Sequence, residues 1–449
     1  MGRLFGTDGA RGIANKEITC ELAMKIGRAA AMVLIDDEHK RPKVLIGADT
    51  RISSDMLKAS ISAGLCSVGA DVLVLGVVPT PAVAYLVKEY GYDAGIMLSA
   101  SHNPCEYNGI KIFKSDGYKL ADEIEEKIES IILDETAIPP IKIGCDVGRI
   151  KRSNTAIEDY INHILSTSEY RYNDLNIALD CANGSASATA QKLFESLGAK
   201  CHIISAQPDG LNINEKCGST YVESLQEFVK ENKCDVGFAF DGDADRLIAV
   251  DENGEVVDGD KIIAICAKDM KETGKLKDDT AVVTVMSNMG FFKFAQENGI
   301  ECKKTKVGDR YVLEEMQKQG YTIGGEQSGH VIFLEHSTTG DGQLTAVQLL
   351  RAMKRTDKKL SELASCMDVF PQVLINVKVS KFGKVRFEDD EDIKIAIKKA
   401  EQELGEDGRV LVRVSGTEPL VRVMLEGKDL KQIDTLGREI AQVVKERLI

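Results

Sequence analysis

Two short stretches of this 449-residue chain carry residue types in an order suited to phosphoryl chemistry. In Gly95-Ile-Met-Leu-Ser-Ala-Ser-His-Asn-Pro104 an apolar run stops abruptly in small and polar residues. Ser101 stands between Ala100 and His102, and Pro104 closes the turn. Its small neighbour leaves the hydroxyl open to a bulky anionic group. A neutral serine is a weak nucleophile and needs a base or a cation. The second stretch is Asp241-Gly-Asp-Ala-Asp-Arg246, where Asp241, Asp243 and Asp245 alternate with small residues. Carboxylates that close repel one another unless a cation intervenes or they splay into water. Hard oxygen donors suit Mg²⁺ or Ca²⁺. Together the two loops suggest phosphoryl transfer through Ser101, with a divalent cation neutralising the moving charge.

Each loop has a competing reading. Glu252 falls where an EF-hand would place its last ligand, but Arg246 occupies the position that motif gives to glycine, and Leu247 to Val250 reads as a strand. A solvated acidic turn is the plain alternative. Asp241 itself is a candidate nucleophile, since a strand followed by Asp-x-Asp opens the haloacid-dehalogenase-type phosphatases. Asp245 stands where those enzymes want Thr or Val. Ser99 lies two residues from Ser101, and either serine would serve as a turn residue bonding its own backbone.

Three further loops are chemically suggestive. Arg413-Val-Ser-Gly-Thr-Glu-Pro419, with Arg422, resembles a phosphate cradle. Gly416 lets backbone N–H groups turn inward, Ser415 and Thr417 add hydroxyls, and the arginines supply forked donors. A plain hairpin with solvated arginines competes. Gly325-Glu-Gln-Ser-Gly-His330 offers Glu326, Ser328 and His330, groups suited to sugar hydroxyls. Phe5-Gly-Thr-Asp-Gly-Ala-Arg-Gly12 is a glycine-rich loop with Arg11 and no P-loop lysine. Lys111 projects opposite Ile110 and Ile112, toward a cleft or toward water.

The elements that hold these loops repeat. Val44-Leu-Ile-Gly-Ala-Asp-Thr-Arg51, Ile177-Ala-Leu-Asp-Cys-Ala-Asn-Gly184 and Val282-Val-Thr-Val-Met-Ser-Asn-Met-Gly290 each begin a strand, turn, helix, Gly, strand pattern. The Gly stops are Gly69, Gly198 and Gly299. Further along each copy a second strand runs into the serine, aspartate or Glu326 loop, and strand ends are where α/β sheets place ligands. The tail from Phe370 to Ile449 reads strand, helix, hairpin, helix, and Gln343 to Met367 reads as a helix leading into it. The fold class is α/β: three related mixed α/β domains, 1–152, 153–253 and 254–367, and an α+β domain over 368–449.

Composition bounds the function. The chain is 43% hydrophobic and 29% charged, with net charge −14. That balance argues against nucleic acid or an anionic membrane as main partner. The N-terminus shows no basic region followed by an apolar core. The longest uncharged run, Val72 to Val87, is short and holds Pro79 and Pro81. A cytoplasmic location follows as the expectation. The 11 cysteines are scattered without CxxC spacing and read as reduced, packed thiols.

Taken together and in order, the five loops resemble those of the α-D-phosphohexomutase superfamily. The Met1-Gly-Arg-Leu-Phe5 opening, the serine motif and Gln327 are similar to its bacterial phosphoglucosamine mutase branch. The resemblance covers the whole chain. It implies a TATA-box-protein-like fourth domain and a central cleft. It implies interconversion of glucosamine 6-phosphate and glucosamine 1-phosphate, feeding UDP-N-acetylglucosamine synthesis. Ser101 would carry the phosphoryl group, and a sugar 1,6-bisphosphate would turn over in the cleft and serve as activator. One Mg²⁺ per chain would sit on Asp241, Asp243, Asp245 and a phosphoserine oxygen of Ser101. Glu326 and Ser328 would bind sugar hydroxyls. Arg413, Ser415, Gly416, Thr417 and Arg422 would grip the non-reacting phosphate. Arg11, Lys111, Arg246 and His330 would give electrostatic or acid–base help. A homodimer is also a family expectation. Within the superfamily, phosphomannomutase/phosphoglucomutase activity is the near rival. A metal-dependent phosphatase using Asp241 and a catalytically silent sugar-phosphate-binding protein are the others.

Overall fold

The computed structural model describes residues 3–6, 8–34, 41–415 and 419–449. They form two compact units, one of residues 1–286 and 299–366 and one of residues 287–298 and 367–449.

The first unit holds three sheets built on one plan. In the first lobe the strand Lys43–Ala48 lies between Asp71–Val77 and Ala94–Leu98, parallel to both, and Tyr107–Lys114 returns antiparallel beside Ala94–Leu98. In the second lobe Asn176–Asp180 lies between Lys200–Ile204 and Val236–Phe240, and Leu247–Asp251 returns beside Val236–Phe240. In the third, Thr280–Thr284 lies between Glu301–Thr305 and Ile323–Gly325, with Val331–Phe333 returning. The same spatial order thus recurs three times. The central strands are near-continuous apolar runs, as sheets covered on both faces require. Ala94–Leu98, Val236–Phe240 and Thr280–Thr284 are buried at every residue.

Three of the candidate loops lie at one structural position of this plan, the turn between the third strand and its antiparallel return. Ser101 sits between Ala94–Leu98 and Tyr107–Lys114, the three aspartates between Val236–Phe240 and Leu247–Asp251, and Glu326 between Ile323–Gly325 and Val331–Phe333. Gly69, Gly198 and Gly299 stop their helices with φ of 96°, 93° and 63°, left-handed values that glycine adopts without a Cβ clash.

Two additions matter. The hairpin Phe5–Gly6 and Gly9–Ile13 extends the first sheet by pairing with Tyr107–Lys114, which sets Arg11 opposite Gly109. Val256–Val257 is a fifth strand of the second sheet, paired with Leu247–Asp251. The stretch expected as one helix over 343–367 is two, Gly342–Thr356 and Leu360–Ala364. Asp357 breaks it with a left-handed φ of 53°, its N–H closing on the Met353 carbonyl.

The second unit is an antiparallel sheet in the order Gln372–Lys378, Leu420–Gly427, Gly408–Val414. The helices Glu391–Leu404 and Leu430–Leu448 supply Ile393, Leu404, Ile433, Leu436 and Ile440 to a core shared with Val421, Val423 and Leu425. A short helix, Lys381–Arg386, adds to the expected order. The helix Met289–Glu297, drawn from between two strands of the third sheet, belongs to this unit.

Candidate active site

Ser101 is buried and has a left-handed φ of 51°, a conformation that costs a residue with a Cβ about 1–2 kcal/mol. The surroundings hold it there. Its N–H donates to Ser99 Oγ (2.9 Å), and Ser99 Oγ donates to Asp49 Oδ2 (2.7 Å). Arg51, itself fully buried, donates from Nε to Asp49 Oδ2 (2.8 Å) and from its two terminal nitrogens to the carbonyls of Ser101, Asn103, Pro104 and Tyr107. One guanidinium thereby fixes the turn through its rigid fork of donors. Ser99, the rival serine, is a brace in this network.

The Ser101 hydroxyl points into the second lobe. It donates to Asp241 Oδ2 at 2.5 Å. His102 Nδ1 lies 3.4 Å from Ser101 Oγ. Burial, reinforced by Arg246 and Arg11, pushes the His102 imidazole down to about 4, so it is neutral at pH 7.

Asp241, Asp243 and Asp245 are buried, and one oxygen of each lies within 4.8 Å of the others. Burial pushes Asp241 well above the carboxylate range, and the neighbouring Asp245 and Asp243 add to the effect. Asp243 goes the other way. Burial opposes its charge, but Lys111 at 2.8 Å and the Thr80 hydroxyl at 2.6 Å overcome it and hold it below its ordinary range. Asp243 Oδ1 and Asp245 Oδ1 are buried without a hydrogen-bond partner among the described residues. Orphaned buried carboxylate oxygens are costly. A divalent cation with oxygen preference would satisfy both at once, so the residues present fit such an ion.

Lys111 is buried and faces this cluster rather than water. Burial alone would lower it, yet Asp243, Asp8 and Asp245 hold it well above the ordinary lysine value. It is a fixed cation. From it a chain of alternating charge runs outward. Asp8 lies 3.0 Å from Lys111, 2.6 Å from Arg11 and 2.5 Å from Lys119, and Lys119 lies 2.5 Å from Asp309. Asp309 Oδ2 is 3.7 Å from His330 Nε2. His330 is buried and Nε2 accepts from the Gly340 N–H (3.2 Å), which puts the ring proton on Nδ1. Glu326 accepts from the Gly308 N–H (3.0 Å), Ser328 is exposed, and Arg246 Nε lies 4.0 Å from Asp245.

The first unit therefore brings Ser101, Arg11, Lys111, the three aspartates, Arg246 and His330 into one connected array. Arg413 and Arg422 belong to the second unit, directly opposite each other on adjacent strands, and Ser415 is buried beside them in sequence. Gly416 and Thr417 lie outside the described residues. Sequence reasoning missed Asp8, Asp49, Arg51, Thr80, Lys119 and Asp309. Asp8 and Asp49–Arg51 lie within motifs already noted, so a search for charged groups at strand ends would have reached them.

Family profiles described as phosphoglucomutase/phosphomannomutase match in sequence: alpha/beta/alpha domain I over residues 2–138, domain II over 158–254, domain III over 258–370 and the C-terminal domain over 374–443. The chain belongs to the phosphoglucomutase/phosphomannomutase family. Among curated members of that family it is 56% identical over 448 residues to the phosphoglucosamine mutase of Acetivibrio thermocellus, covering 100% of both chains. The phosphoglucosamine mutase of Caldanaerobacter subterraneus is likewise 56% identical over 448 residues, again covering 100% of both. Solved phosphohexomutases share the fold. A family protein from Burkholderia thailandensis superposes with a TM-score of 0.82 at 23% identity, covering 99% of this chain and 98% of that one. An N-acetylphosphoglucosamine mutase from Aspergillus fumigatus, solved with GlcNAc-6P and magnesium, gives 0.67 at 16% identity, covering 99% and 96%.

Proposed function

We propose that this phosphohexomutase-family enzyme interconverts glucosamine 6-phosphate and glucosamine 1-phosphate through a phosphoserine at Ser101. The observation that carries the reading is the 2.5 Å contact between Ser101 Oγ and Asp241 beside two orphaned carboxylate oxygens. A hydroxyl from one lobe and a cation-ready acid cluster from another meet at a single point. The curated relatives at 54–56% identity over the full chain bear the same activity in their names.

In this reading Asp241, Asp243 and Asp245 hold Mg²⁺, which when bound neutralises phosphoryl oxygens. The Ser101 Oγ–P bond breaks as the free sugar hydroxyl forms a new O–P bond; the proton lost by the sugar is balanced by one gained at Ser101 Oγ, giving the 1,6-bisphosphate and the free serine hydroxyl. The bisphosphate turns over, and its other phosphate returns to Ser101. Lys111 keeps its proton throughout and contributes fixed positive charge beside the reacting group. Arg11 and Arg246 extend that charge. Glu326 and Ser328 orient sugar hydroxyls, and His330 gives electrostatic or acid–base help. Arg413, Ser415, Gly416, Thr417 and Arg422 bind the phosphate that is not reacting. A 1,6-bisphosphate also restores the phosphoserine when it is lost.

The reaction belongs to the cytoplasm in this reading, and no helix among the described residues is long and apolar enough to cross a membrane. The first three proposed domains, 1–152, 153–253 and 254–367, follow the repeat, the fourth is 368–449, and the proposed homodimer is tested by light scattering.

The test is a coupled assay of glucosamine 1-phosphate formation, with kcat/KM compared on glucosamine, glucose and mannose phosphates. The highest value is expected on glucosamine phosphate, and Ser101→Ala should abolish turnover. A higher value on mannose or glucose phosphate would reassign the substrate. A hydroxylamine-labile phosphoryl group would point to an acyl phosphate on Asp241 and overturn the serine mechanism.

A further inference from the structure

We propose that Asn214 is a positioning residue for Ser101, an amide clip that ties the serine turn of the first lobe to the second lobe and sets the hydroxyl beside Asp241. The proposal rests on the reading of Ser101 as the phosphoryl carrier.

Asn214 Nδ2 donates to the carbonyl oxygens of Ser101 (2.9 Å) and Asn103 (3.1 Å). Both partners can only accept, so only the NH₂ end of the amide fits there. Arg51 Nη2, from the first lobe, donates to the same two carbonyls at 2.9 and 2.7 Å. Each carbonyl is thus gripped from both lobes. The acid loop closes on the same point. A Cβ added to Gly242, between two of the aspartates, would stand 2.5 Å from the Ser101 carbonyl and 2.9 Å from Asn214 Nδ2. Absence of that side chain lets serine turn, clip and acid loop share one place.

The loop that presents Asn214 is braced. Its N–H donates to the Ala182 carbonyl (2.9 Å), and Asn183 N–H donates to the Ser205 carbonyl (2.6 Å). From the first lobe, Thr50 Oγ1 donates to the Asn183 carbonyl (2.6 Å) and Ile52 N–H to the Gly210 carbonyl (2.9 Å). Ala182, Asn183, Ser205, Asn214 and Lys216 all have left-handed φ, between 47° and 58°. Such conformations persist where surrounding structure over-determines them, and they gather at functional sites.

The experiment measures kcat, KM and thermal midpoint for the wild type, Asn214→Gly and Asn214→Asp in the mutase assay. Glycine keeps the left-handed backbone and removes the clip. Aspartate keeps shape and backbone tolerance but aims acceptors at two carbonyls. A displaced reacting group costs up to about 100-fold in rate. The expected result is a kcat lowered about tenfold in the glycine variant and about 100-fold in the aspartate variant, with KM within about twofold of wild type. A loop brace alone would tolerate aspartate, so an aspartate variant as active as wild type overturns the proposal. Equal kcat in the two variants, or a rise in KM that accounts for the loss, also overturns it. A wild-type enzyme without mutase activity would instead overturn the function on which the clip depends.

Discussion

Asp241 combines three demands in one side chain: it is buried, it lies among like charges, and it receives the Ser101 hydroxyl. Burial and its neighbours push its carboxyl well up, so a cation entering this site displaces a proton. Mg²⁺ affinity should therefore fall as pH is lowered. Titration calorimetry in buffers of different ionisation heat should show proton release in the wild type. Asp241→Asn should bind Mg²⁺ more weakly and release fewer protons; equal release would show that another group carries the proton. Ser101 and the aspartates were legible from the sequence because each stands just past an apolar strand. Lys111 was half legible: alternation placed it opposite Ile110 and Ile112 but could not say what faced it. Lys119, Asp309 and Asn214 were not legible, because their partners lie far away in sequence. Lys119 and Asp309 are 190 positions apart, and only the packing of lobes brings them together.

Two elements convert backbone geometry into measurable energetics. Asp341 caps the helix Gly342–Thr356 by accepting from Leu344 N–H (2.9 Å), and the Tyr160 hydroxyl contacts both its oxygens. Burial outweighs these bonds and pushes the carboxyl from 3.8 to about 7. It binds its proton more tightly folded than unfolded. Its contribution to stability is complete below pH 3.8 and is lost as pH rises through about 7. Asn caps a helix as well as Asp does. Asp341→Asn should therefore gain thermal midpoint relative to wild type as pH rises across that window; parallel curves would exclude a raised carboxyl. The hairpin of the second unit behaves differently. Arg413 sits directly opposite Arg422, and burial and that neighbour both push Arg413 down. Like charges so placed cost roughly 0.2–1 kcal/mol. Arg413→Gln should raise the thermal midpoint slightly while raising KM for sugar phosphates by about tenfold, a charge-assisted bond being worth about 1.5–3 kcal/mol. Unchanged KM would remove Arg413 from the phosphate cradle. The triple strand–helix–Gly–strand pattern was legible because the glycine stops and apolar runs repeat. The break at Asp357 was not, since a left-handed aspartate carries no sign that a helix-favouring context would reveal.

At the scale of the whole molecule, the second unit is not contiguous in sequence. It includes the helix Met289–Glu297, whose Met289 N–H donates to the buried Glu426 carboxylate (2.9 Å), while Asn288 exchanges hydrogen bonds with the backbone of Phe370 (3.0 and 2.9 Å). Glu426 also accepts from Arg409 Nε (2.6 Å) and Gln372 Nε2 (2.9 Å). A fragment of residues 367–449 should therefore melt below a version fused to residues 287–298, as circular dichroism would show; equal midpoints would mean the helix adds nothing. The sequence reading placed a boundary at 368 and had no means of assigning an earlier helix to the tail. The arrangement also bears on birth order. The ribosome delivers that helix well before the strands it will join, since 137 positions separate Met289 from its partner Glu426. Nascent chains halted between residues 298 and 367 would hold the helix without the rest of its unit, and such chains are where chaperone capture should be strongest.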